Sequence, residues 1–253
     1  MRPIAIAILC WVVASNLYGQ SKNLLFNKNF EWGVDSSSKA LIIYYQPERW
    51  ASTRIDHVRD RILNHINSVE AFVQISNYQP VIHYFIVDSR EEMKKLIGWE
   101  SSGRAFYKTN TVCAIASDKL QSTFSNHEIF HVVAMNSWGV PERWINEGMA
   151  VYADGGWNGY DLYQLTKYLK ENGRMINLEK LIRKFKRQDS TLSYPLIASF
   201  VKFVGEKYGR EVILKIWKNG FSGLTKATGK SISELEKEWL SRIQLENYKE
   251  IKY

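Results

Sequence analysis

His127-Glu128-Ile129-Phe130-His131, followed by Trp144-Ile145-Asn146-Glu147-Gly148, is the stretch on which the reading of this chain turns. Residues four apart on a helix share a face, about 5–6 Å apart at Cβ, so His127 and His131 are placed to share one metal ion. Glu128 stands on the adjoining flank, where it reaches a water on that ion more readily than the ion itself. Fifteen residues, 132–146, separate His131 from Glu147, enough to finish one helix, reverse over 136–141 and begin a second packed on the first. The spacing thus supplies a His, His, Glu ligand set with one open position, as zinc sites that do chemistry have.

Blander readings compete with this one. Ser125-Asn126-His127-Glu128 also satisfies the capping-box pattern, in which Glu128 only folds back on the helix start. Against it, Phe124, Ile129, Phe130, Val132, Val133 and Ala134 cover most of the helix surface, and a helix apolar nearly all round is buried. Two imidazoles and a carboxylate there need partners that offset lost hydration, which a metal provides. Glu147 is either a ligand or an acid favoured near a helix start by the backbone dipole. Pro141, read as the first helical residue, puts Glu147 two turns in, beyond most of that effect, and Trp144, Ala150 and Tyr152 surround it with apolar bulk.

Other chemically capable residues read as ordinary. His57, His65 and His83 sit apart from one another in patterned segments, and Cys113 lies inside an apolar strand as an inert thiol. Gly223 to Ser231 has five residues between its glycines where a phosphate loop has four, and Ser233-x-x-Glu236 accounts for the region as a helix cap.

The whole chain bounds these readings. Its 253 residues suffice for one core, or two lobes around a cleft, without disulfides. Met1-Arg2-Pro3, then the apolar Ile4 to Ala14 and the polar Ser15 to Lys22, predict a signal peptide over 1–19 and an exported protein, periplasmic or secreted. A lipoprotein reading through Cys10 is weaker, because the bulky Leu9 precedes the cysteine. With the leader removed, Cys113 is the only cysteine, which leaves stability to packing. No other apolar run is long enough to span a bilayer, so no stable membrane insertion is expected. The net charge of +8 is spread among acids and apolar residues at Lys94-Lys95, 180–187 and the C-terminal lysines. That pattern describes solvated helix faces, and no nucleic-acid motif accompanies it.

Along the chain, Ala40 to Tyr45 reads as a strand and Glu48 to Ser76 as a long helix with Ile55, Val58, Ile62, Ile66, Val69 and Val73 at three- and four-residue steps. Strands follow at Val81 to Val87, Arg104 to Tyr107 and Thr111 to Ala116, with a short helix after Ser89-Arg90-Glu91-Glu92, a capping-box pattern. From Leu120 on the pattern is helical: the two site helices, then 160–171, 178–185, 194–208, 211–217 and 233–247. Strands first and helices last argue for α+β, with a strand-rich upper lobe over 20–117 and a helical lower lobe over 118–253 forming one catalytic unit.

His-Glu-x-x-His, then Pro-x-Arg-Trp-Ile-x-Glu-Gly-x-Ala-x-Tyr, resembles the gluzincin clan of zinc metallopeptidases, specifically the small peptidase MA-like domains. The resemblance covers roughly Leu96 to Trp239. It implies a mixed-sheet upper lobe whose edge strand pairs with an extended substrate, a helical lower lobe, and one zinc ion in the cleft. It also implies a role for Tyr194, since related aminopeptidases have a tyrosine at the start of the next long helix that points its hydroxyl at the transition-state oxyanion; otherwise Tyr194 packs or caps. Two departures stand out. The Gly-x-Met-Glu-Asn segment by which those aminopeptidases grip a free amino terminus is absent, which turns the expectation away from aminopeptidase and toward endopeptidase action, with carboxypeptidase action left open. Val151 stands where some gluzincins place an acid that orients a histidine ligand.

The expectation is therefore hydrolysis of a peptide or protein substrate, with zinc held by His127, His131 and Glu147 and with Glu128 as general base. Two alternatives remain. One is a catalytically silent relative that binds or scaffolds peptides; the other is a basic surface-binding protein with no metal requirement.

Overall fold

A computed structural model describes residues 24–76, 78–118, 126–247 and 250–253. The expected leader over 1–19 with Cys10, Phe124, and Ser125 of the capping-box alternative lie outside them. The fold is α+β, and the chain divides into two compact units, residues 1–133 and 134–253.

The first unit is built on one mixed sheet. Its strands are β1 (Gly33–Asp35), β2 (Leu41–Tyr45), β3 (Ile82–Val87), β4 (Gly103–Phe106) and β5 (Thr111–Ile115), in the order β1-β2-β3-β5-β4. The three inner strands run parallel and the two edges antiparallel to their neighbours. Parallel neighbours need a crossover, and helix α1 (Ile55–Val73) supplies it between β2 and β3. Its buried residues Val58, Ile62, Ile66, Val69 and Val73 recur at three and four, and Gln74 ends it in the left-handed region with its N–H on Ala71 and Glu70.

This helix begins later than the sequence predicts. Glu48 has φ 61°, incompatible with a helix, and a 3₁₀ turn over Ser52–Arg54 intervenes. Helix α2 (Arg90–Ile97) starts where expected, with Ser89 Oγ accepting from Glu92 N. Its capping box is only half made, because the Glu92 carboxylate turns to Asp88 N and to Gln46 instead of the N-cap backbone.

Strand register sorts the sheet's two faces. Tyr44, Phe85, Val87, Cys113 and Ile115 form one buried cluster with Met93, Leu96 and Ile97 of α2. Gly103, Ala105, Val112 and Ala114 point the other way.

In the second unit α4 (Arg143–Ala153), α5 (Leu162–Glu171), α6 (Leu178–Arg183), α7 (Ser190–Tyr208), α8 (Arg210–Thr228) and α9 (Ile232–Gln244) follow α3 (Asn126–Trp138), which begins in the first unit. α7 is the central element: α4, α5 and α8 pack on it, and its residues 195–201 are buried without a gap. α8 is longer than expected because two helices meet at a kink at Gly220 (φ 59°, ψ −141°), where a side chain would overlap the Glu142 carboxylate. The cap of α9 also differs from the expected Ser233-x-x-Glu236. Ser231 and Glu234 form the capping box, and Glu236 instead accepts from Leu178 N. No helix among the described residues is long and apolar enough to cross a membrane.

Candidate metal centre

α3 carries both histidines, and its packing explains why they stay in place. Ile129, Phe130, Val132, Val133 and Ala134 are fully buried, and Phe130 meets Phe72 of α1 edge-on. Burying each large apolar side chain stabilises by about 1.5–3 kcal/mol, which offsets the partial desolvation of the imidazoles beside them. His131 is 8 % exposed and His127 half-buried.

The two rings meet perpendicular to each other, and their Nε2 atoms are 3.2 Å apart. Two nitrogens each about 2.0–2.1 Å from a tetrahedral zinc stand about 3.3 Å apart. A spacing of 3.2 Å is compatible with two ligands of one ion, and the Nδ1 atoms are left to fix ring orientation. Ligand-capable atoms of His127, His131 and Glu147 all lie within 4.8 Å of one another, the one such group among the described residues.

Glu147 sits on α4 and its side chain is 14 % exposed. Pro141 is not the first helical residue: Glu142 is the N-cap and the helix starts at Arg143, so Glu147 stands only one turn in. The dipole thus contributes to its environment more than the sequence predicts. Gly148 follows it, and a Cβ there would lie 2.9 Å from Val201 Cγ2 and 3.4 Å from the Ile197 carbonyl of α7. The glycine lets α4 approach α7 closely beside the candidate ligand.

Arg143, one turn before Glu147, is the residue that sequence reasoning missed. Its Nε lies 3.5 Å from Glu147 Oε1, and its Nη2 donates to the Tyr194 hydroxyl at 3.3 Å. The i, i+4 spacing to Glu147 was the available signal. The two partners raise the Arg143 pKa, the Tyr194 hydrogen bond most of all, so its charge is fixed.

Tyr194 does not start its helix. Asp189 caps α7 by accepting from Thr191 N, and Tyr194 comes one turn later, its ring between Trp157 and Phe185 at 5.4 and 5.3 Å between centroids. Pro195 has no N–H for the Thr191 carbonyl one turn back, and the Tyr253 hydroxyl donates to that carbonyl instead. Tyr253 also accepts from Trp157 Nε1 at 2.8 Å, which ties the ring against Tyr194 in place. Val151 is buried with Leu162 and Ala198 in the apolar cluster on which Tyr194 packs.

Glu128, in the first turn of α3, is half-buried and has no hydrogen-bond or ion-pair partner among the described residues. The remaining histidines are elsewhere: His57 is exposed, His65 bonds Asn126, and His83 bonds the Tyr44 hydroxyl. Burial pushes the Cys113 thiol far up, which keeps it protonated and inert. Neither a known family model nor a curated protein matches the chain.

Proposed function

We propose that this chain is a zinc metallopeptidase of the gluzincin type that hydrolyses peptide bonds in a peptide or protein substrate. The observation that carries the reading is the His127 and His131 Nε2 pair at 3.2 Å, the spacing two ligands of one tetrahedral zinc require. Glu147 supplies the third ligand, of the carboxylate type found in hydrolytic zinc sites. When bound, zinc supplies Lewis acidity, lowering the pKa of a water and polarising a carbonyl.

The chain's own residues do the rest. Glu128 accepts the proton of the attacking water and returns it to the departing amine, and its carboxylate is not tied up in an ion pair among the described residues. Tyr194, whose oxygen accepts from Arg143, is the donor to the developing oxyanion in this reading. Endopeptidase action is part of the proposal, because the chain lacks the segment with which related aminopeptidases hold a free amino terminus.

Digestion of a peptide library by the zinc-loaded protein tests it. Cleavage should appear with the wild type, vanish with a chelator, return with zinc, and fall at least about 100-fold in Glu128→Gln. Cleavage that survives the chelator, or that Glu128→Gln performs as fast as the wild type, would sink the mechanism. No cleavage under any condition, with peptides still bound, would leave a silent peptide-binding protein.

A further inference from the structure

Glu128 has no hydrogen bond among the described residues to fix its carboxylate, so something else must. The neighbour is Gly103, at the start of the edge strand β4. A Cβ at position 103 would lie 2.9 Å from Glu128 Cγ, 3.0 Å from its Oε1 and 3.3 Å from its Cδ. All three nearest atoms belong to that one side chain. We propose that Gly103 is a positioning residue for Glu128: the missing side chain at 103 is the space in which the carboxylate lies. The inference rests on the reading of Glu128 as the general base.

The sequence around it fits this role. Gly103 pairs with Ala114, and with Ala105 and Val112 it lies on the sheet face opposite the α2 cluster. A backbone held in that register cannot retreat, whereas a glutamate rotates about its outer bonds, so an added methyl group displaces the carboxylate. Gly103 is not among the glycines of positive φ, so alanine suits the strand conformation itself. Gly103→Ala therefore probes the placement of Glu128 with little effect on the fold.

The test compares wild type, Gly103→Ala, Glu128→Gln and the double variant, all zinc-loaded, with a crystal structure of zinc-free Gly103→Ala beside them. We expect Gly103→Ala to melt near the wild type, hold the same zinc, and lose about 10–100-fold in kcat with little change in KM. Adding it to Glu128→Gln should lower the residual rate no further. In the crystal the carboxylate should move by about 1 Å, the scale of misplacement that costs such factors. Wild-type kcat, an equal loss in both backgrounds, or an unmoved carboxylate overturns the inference. A wild type that cleaves nothing defeats the proposed function instead, and the crystal structure still decides whether Gly103 places Glu128.

Discussion

The guanidinium of Arg143 donates to the hydroxyl of Tyr194 at 3.3 Å, while its Nε faces the Glu147 carboxylate at 3.5 Å. One cation therefore ties the candidate ligand to the candidate oxyanion donor. The hydrogen bond runs into the phenol oxygen, which polarises the O–H.

Tyr194→Phe removes that donor and keeps the ring between Trp157 and Phe185. We expect kcat to fall about 100–1000-fold, the usual cost of one oxyanion donor, with zinc content unchanged. Steady-state kinetics beside elemental analysis read both. Undiminished kcat would remove Tyr194 from the mechanism.

Gly148→Ala pushes α4 from α7, because the new methyl group meets Val201 Cγ2 at 2.9 Å and the Ile197 carbonyl at 3.4 Å. Overpacking of this kind costs about 1–3 kcal/mol, measurable by urea denaturation. Val201→Ala in the same chain should recover part of the loss. A Gly148→Ala protein as stable as the parent would show that the helices have slack there.

Acid should loosen the second unit at Glu238. Tyr208 donates to this carboxylate, Lys230 and Lys207 each stand 3.0 Å from it, and these bonds hold its pKa at about 2, against 4.5 for a free glutamate. The folded value lies below the unfolded one, so the stabilisation is complete above pH 4.5 and is lost as pH falls toward 2. Denaturation midpoints across that window should drop more steeply for the wild type than for Glu238→Gln. Parallel slopes would count against the linkage.

Periodicity exposed much of the first unit in the sequence. The steps from Val58 to Val73 mark α1, and the apolar runs mark β2, β3 and β5. β1, three residues long, offers no pattern to read, and its place is set by pairing with β2. The early start at Glu48 fails because apolar spacing continues through a segment whose backbone has already left the helical region. α8 escaped notice beyond Trp217 because Gly220 breaks the apolar period where Glu142 enters.

At the site, the two histidines and Glu147 were legible because one helical repeat and one reversal fix their distance. Arg143 and Gly103 were not. Each acts through a neighbour, and Gly103 contributes by lacking a side chain, which no spacing rule detects.

In the proposed site His127, His131 and Glu147 hold zinc while Glu128 acts without binding it. Elemental analysis of purified wild type, Glu128→Gln and His131→Ala, each shown folded by circular dichroism, tests it most directly. We expect about one zinc per chain in the first two and a loss in the third. A wild type without zinc, or a His131→Ala protein that holds as much as the wild type, would contradict it.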